Sequence, residues 1–185
     1  MDSSRRHLAA TVALGLGLLA VLAGCGTSPD KSPVVVLHDA TIATVADLTT
    51  PAEADVVLTF VRADGRSVQL SIAQLEDLKT VSADVYEPFL DKRVTFQGVP
   101  LRDLFDFLQI PASVTTLHTV ALNEYAVDLP VSVASAPGAI LATRAGGALI
   151  PIDQGGPTRV VFTDGHPQAG DESLWVWSLK TVSIP

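Results

Sequence analysis

A single cysteine, Cys25, serves the whole 185-residue chain, so no intrachain disulfide can form and no cysteine pair can grip a metal or cycle between thiol and disulfide. Basic residues are scarce as well: twelve Lys and Arg stand against twenty Asp and Glu, for a formal net charge of −8. Such a surface repels nucleic acid and anionic headgroups, and no nucleic-acid partner is expected. His38, His118 and His166 lie far apart, without the i, i+2 or i, i+4 spacing of a zinc motif. Asp164, Asp171 and Glu172 share a loop with His166 but lack the spacing of a calcium loop, and read as a solvated acidic turn. No Gly-x-Ser-x-Gly elbow occurs, which leaves a hydrolase unsupported. Gly155-Gly156-Pro157 lacks a phosphate-loop pattern, and its proline removes a backbone donor; it reads as a turn into the strand that carries Arg159. No internal repeat is found.

What is present begins with a leader. Arg5 and Arg6 precede an apolar run from Leu8 to Ala23, too short to span a bilayer comfortably, and Leu22-Ala23-Gly24-Cys25 resembles the bacterial lipobox. The expectation is a signal peptide over 1–24, a lipidated Cys25, and an extracytoplasmic protein held on the membrane by its acyl chains. Two or three chains at roughly 0.8 kcal/mol per buried methylene give stable anchoring. Acylation would close thiolate chemistry at Cys25. Ser4-Arg5-Arg6-His7-Leu8 also resembles, in part, a twin-arginine export signal. Residues 25–54 then read as linker and N-terminal extension, with Gly26 to Pro33 a polar, proline-punctuated spacer, and 55–185 as one domain.

Within the extension, Val34–His38 and Thr41–Val45 are β-branched patches that suggest a strand and its continuation. Further on, Val56–Val61 and Ser67–Leu70 flank Asp64-Gly65, which predicts a hairpin. Ser71-Ile72-Ala73-Gln74 is a capping-box pattern opening a short helix through Leu78. Strands are expected at Thr80–Val85 and at Lys92–Gln97, the latter ending at Gly98-Val99-Pro100. Leu101, Leu104, Phe105 and Leu108 recur at helical spacing until Pro111. More strands follow at Thr116–Leu122, Tyr125–Leu129, Ala139–Thr143, Ala148–Ile152, Thr158–Phe162 and Leu174–Ile184, with a tight turn at Gly146-Gly147. This pattern predicts an α+β domain with a mixed, largely antiparallel sheet and short helices.

Several segments, in order, resemble the molybdopterin-binding domain of the sulfite oxidase family, including its small stand-alone bacterial relatives. They are Phe96-Gln97-Gly98-Val99-Pro100-Leu101-Arg102-Asp103-Leu104-Phe105, Leu122 to Pro130, Leu141-Ala142-Thr143-Arg144, Gly147 to Pro151, Gly155 to Val161, and Trp175-Val176-Trp177-Ser178-Leu179-Lys180. The resemblance implies that fold and, in catalytic members, a molybdopterin whose metal is bound by a cysteine. The corresponding stretch here, Val81 to Asp84, reads Val-Ser-Ala-Asp, with no sulfur nearby. The lysine that the enzymes tend to carry just before the closing Trp is replaced by Leu174 or Val176.

Ser82, Asp84, Arg93, Tyr125, Arg144 and Arg159 are the candidate pocket residues: the arginines for a phosphate or anion, Tyr125 for an aromatic at the mouth, Ser82 or Asp84 for a non-cysteine metal ligand. Trp175 and Trp177, alternating on an expected strand, would share one face and read first as packing, second as a stacking surface. Composition alone implies no cofactor; the resemblance implies molybdopterin. The favoured reading is a lipid-anchored, non-catalytic module that binds a small ligand or an envelope protein. Its alternative is a molybdopterin-dependent oxidoreductase with a non-cysteine metal ligand.

Overall fold

The computed structural model describes residues 33–185; the leader, Cys25 and most of the spacer lie outside the described residues. Among the described residues, eleven strands form two sheets rather than the one that strand spacing suggested. The first contains β1 (Val35–His38), β4 (Thr80–Glu87), β5 (Lys92–Pro100), β8 (Ala139–Ala145) and β10 (Arg159–Phe162) in that order, with β9 (Ala148–Leu149) pairing β8. The second runs β3 (Ser67–Ser71), β2 (Val56–Val61), β11 (Leu179–Ser183), β6 (Thr116–Ala121) and β7 (Ala126–Pro130). Neighbouring strands are antiparallel except for β11 on β2, so the architecture is α+β with mixed, largely antiparallel sheets.

Local chemistry accounts for much of this. Asp64 Oδ1 accepts from the Arg66 amide, and Gly65 takes φ +80°, which closes the β2–β3 hairpin. Ser71 and Gln74 cap one another, opening α1 (Ile72–Glu76), which ends two residues before the Leu78 that its sequence pattern suggested. Gly146 and Gly147 both adopt positive φ, as a two-residue turn between β8 and β9 demands. Helix α2 (Leu101–Leu108) buries Leu101, Leu104, Phe105, Phe107 and Leu108 and ends where Gln109 enters the left-handed region. Its apolar face meets Leu58, Phe60, Leu129, Val160, Leu179 and Val182, so the helix fills the core between the sheets. Each fully buried Leu or Phe contributes roughly 1.5–3 kcal/mol there. A third, four-residue helix, α3 (Val131–Ala134), follows β7.

Four expectations need correction. The strand expected over Ala148–Ile152 stops at Leu149, and Ile152 opens a 3₁₀ turn that runs to Gln154. Thr41–Val45 forms no strand; a short 3₁₀ turn at Val45–Asp47 takes its place, capped by Thr44. Strand β5 continues through Gly98 to Pro100, because Gly98 lies flat on the β8 backbone at Leu141, where any Cβ would collide with the carbonyl. The segment expected as one strand over Leu174–Ile184 divides into a 3₁₀ turn at Glu172–Leu174, an irregular stretch bearing both tryptophans, and β11. That stretch joins no strand ladder but bonds to β10 and the loop before it: Ser178 donates to the Gly155 carbonyl and the Val176 carbonyl accepts from Val160.

Candidate functional site

Strand β4 sorts the candidate residues between two faces. Its odd-numbered residues Val81, Ala83, Val85 and Glu87 are buried, while Ser82, Asp84 and Tyr86 point outward. In register, Ser82 pairs with Gln97 and Gln97 with Arg144, so these three share the outer face. The β5–β8 register slips between Gln97 and Gly98, leaving Thr143 as the extra residue. Such a bulge turns two successive side chains the same way, and Thr143 and Arg144 both donate to Glu76 Oε1, at 3.0 and 2.7 Å. Arg144 completes a fork on Glu76 through its second nitrogen at 3.0 Å. Burial alone would raise Glu76, but the hydrogen bonds from Arg144 and Thr143 outweigh it and leave the carboxyl below its ordinary value.

On the same outer face Arg93 reaches Asp84 at 2.7 Å and Asp164 at 2.8 Å, and donates to the Asp84 carbonyl. Hydrogen bonding to Asp84 and then to Asp164 raises the guanidinium above its usual value. The acidic loop around Asp164 is therefore not simply solvated: this carboxylate also accepts from the Tyr86 amide, and His166 is buried under Phe162. The His166 ring bonds the Val133 carbonyl and the Gln168 amide, so its Nδ1 accepts and it is neutral. Burial holds its pKa below the ordinary value against the pull of the Val133 carbonyl.

Arg159 lies on the opposite, inner face and is only 2 % exposed. It meets Glu87, itself fully buried, at 2.7 Å, and its guanidinium stacks 4.1 Å from the Trp177 ring centroid and 5.3 Å from that of Phe96. Burial lowers its pKa, with the Glu87 hydrogen bond opposing. Its Nε finds no partner. Arg144 and Arg159 thus do not converge on one pocket with Ser82 and Asp84.

Tyr125 belongs to a different constellation. Three loops at one end of the sandwich enclose a cleft of about 420 Å³: Phe89 from the β4–β5 turn, Asn123 and Tyr125 from the β6–β7 turn, and Glu172, Ser173, Trp175 and Trp177 from the β10–β11 connection. Tyr125 donates through its hydroxyl to the Ser173 carbonyl at 2.9 Å, tying two of these loops together. Phe89 stands edge-on to Trp177, with centroids 5.1 Å apart and planes 70° apart, and to Trp175 at 6.4 Å and 72°. Gly155 permits the Trp177 seat, since a Cβ there would come within 2.8 Å of the ring. Of the cleft residues only Tyr125 stands among the sequence candidates; Phe89 and Glu172 carry no local signal for a cleft, and the Gly155 contact that fixes Trp177 lies within a turn motif.

The donor set can be tested against the cofactor that the family resemblance implies. A pterin phosphate needs uncommitted cations or amides, and the thiolate type of metal site needs sulfur. Arg93, Arg144 and Arg159 are each neutralised by a carboxylate, and the described residues contain neither Cys nor Met. Asp84, one of the two proposed non-cysteine ligands, is itself bonded to Arg93. These residues do not fit a cysteine-ligated, arginine-held molybdopterin.

Comparison with known proteins supplies the ancestry. No curated protein matches this chain. Among solved structures, the sulfane dehydrogenase SoxCD from Paracoccus pantotrophus is similar with a TM-score of 0.53 at 13% identity, over 74% of this chain and 39% of that one. The likeness establishes a shared fold, and this chain spans well under half the length of that relative. The family profile described as oxidoreductase molybdopterin binding domain matches residues 44–166. On that match, the chain belongs to the oxidoreductase molybdopterin-binding domain family.

Proposed function

We propose that this chain is a lipoprotein anchored through Cys25 on an extracytoplasmic membrane face, whose molybdopterin-binding-type domain acts as a non-catalytic module binding a small ligand or an envelope protein. One observation carries the reading: every arginine nominated for anion binding is already held by a carboxylate of the same domain, two of them with fork or double-acceptor geometry. Releasing Arg159 for a ligand would strand Glu87 in the core, at a cost of several kcal/mol. The aromatic cleft supports the binding role, because it is concave, apolar-walled and edged by a few polar groups.

Elemental analysis of the full chain, purified from a host that makes the cofactor, tests this; far less than one molybdenum per chain is expected. Stoichiometric molybdenum, or turnover with a defined electron acceptor, would overturn it. The anchor is tested separately: radiolabelled palmitate should enter the wild type and not Cys25→Ala.

Family membership favours a second reading, an oxidoreductase whose metal is held by the cofactor and a non-cysteine residue. Of its two candidates, Ser82 is half-buried and free of the ion pair that engages Asp84. Ser82→Ala would then abolish metal retention, while Asp84→Asn would not.

A further inference from the structure

The aromatic cleft has a composition that selects among ligands. Its walls are Phe89, Tyr125, Trp175 and Trp177, and among the described residues its one charged lining residue is Glu172 and no Lys or Arg lines it. Ring faces carry negative potential, so several of them around one space attract a cation that can shed its water. The Phe89 plane is turned 70° from Trp177 and 72° from Trp175. Rings so turned are the walls of a box, suited to a rounded group; a flat heterocycle would need two parallel shelves. Arg159 covers part of the Trp177 π-system from within the core, but its charge is balanced by Glu87 at 2.7 Å. Phe89 and Tyr125, both 44 % exposed, keep ring surface open to solvent. The net charge of −8 raises the local concentration of cations further.

We propose that this cleft binds a quaternary or methylated ammonium group, with Phe89, Tyr125 and Trp177 around the methyls and Glu172 supplying the counter-charge. Methylation removes N–H donors and spreads the charge over apolar carbons, so the group gives up little hydration on entering an apolar box. A primary ammonium would forfeit much more. The inference rests on the binding-module reading and names its ligand class.

The chain's two tryptophans both line the cleft, so intrinsic fluorescence reports on it directly. The full chain, in micelles of a detergent without choline, is titrated with choline chloride and, in parallel, with the neutral isostere 3,3-dimethylbutan-1-ol at matched ionic strength. Saturable quenching by choline is expected, with the isostere at least about tenfold weaker. Phe89→Ala, at an exposed ring that leaves the core intact, should weaken choline about fivefold, and Glu172→Gln about threefold. Equal affinity for the isostere would overturn the proposal, as would a choline titration with no saturable change. Glycerophosphocholine separates two sources of the same group: binding at least as tight as choline assigns a lipid headgroup, weaker binding a free amine. Failure of these titrations with molybdenum absent removes only the ligand class; stoichiometric molybdenum removes the module reading itself.

Discussion

The outer face of the first sheet and the aromatic cleft hold nearly all the chemically distinctive side chains of this domain, and they use them in opposite ways. On the sheet face every charge is answered: Arg93 by Asp84 and Asp164, Arg144 by Glu76. In the cleft the rings meet edge to face around open volume, and the Glu172 side chain makes no ion pair among the described residues, while its backbone carbonyl accepts from Trp175. Paired charges clamp strands and loops in place, whereas the exposed Glu172 carboxylate beside the rings ties nothing down. Charge content alone does not separate these two regions; charge satisfaction does.

Arg159, on the inner face of the first sheet, is the joint between that sheet and the cleft, since it ties β10 to Glu87 of β4 and supports the cleft wall at Trp177. Breaking that joint should have the largest effect. Glu87→Gln is expected to cost about 3–5 kcal/mol by leaving a guanidinium buried and uncompensated, read by urea denaturation. The double variant Glu87→Leu with Arg159→Met should recover most of the loss, yet shift the tryptophan emission, because the wall loses its support. Next comes Gly98→Ala, where a methyl would press on the Leu141 carbonyl. Overpacking against backbone is worth about 1–3 kcal/mol, and chemical denaturation should show it without a change in cleft fluorescence.

Smaller effects sharpen the contrast. The Arg144–Glu76 pair is about one-third exposed on the arginine side, so a double-mutant cycle with Arg144→Met and Glu76→Gln should give a coupling near 1 kcal/mol, reduced by salt. A large coupling would mean that the outer face is drier than its exposure indicates. Buried His166 sets the weakest dependence. Its folded pKa lies below the ordinary 6.5, so below that pH the unfolded chain binds the extra proton first. Its stability contribution is complete above about 6.5 and is lost as the pH falls toward the folded value. Thermal scans from pH 7.5 to 5 should show a falling Tm, with a flatter slope in His166→Gln.

What the sequence made legible was local. Asp64-Gly65, the Ser71–Gln74 cap, the Leu101–Leu108 spacing and the Gly146-Gly147 turn each act over a few residues, and each appears in the structure where the pattern put it. The site was harder to read because its determinants are separated in sequence. Arg144 finds Glu76 across 68 residues and Arg159 finds Glu87 across 72, so neither partner could be inferred from spacing. Trp175 and Trp177 were matched to strand alternation, whereas their segment follows the loop at Gly155 to Val160, a contact that depends on the finished sandwich. Tyr125 lines the cleft, but the arginines grouped with it belong to other faces.

The parallel pairing of β11 with β2 also governs how the domain is made. Strand β11 sits between β2 and β6, joining residues 59–61 to 181–183, so the second sheet has a gap at its centre until the last strand arrives. Contacts this distant in sequence slow folding, because the loop must close before the pairing compensates it. A nascent chain lacking Leu179–Ser183 would expose both flanking strands and stay open. The second sheet can therefore close only once Leu179–Ser183 is present to bridge β2 and β6.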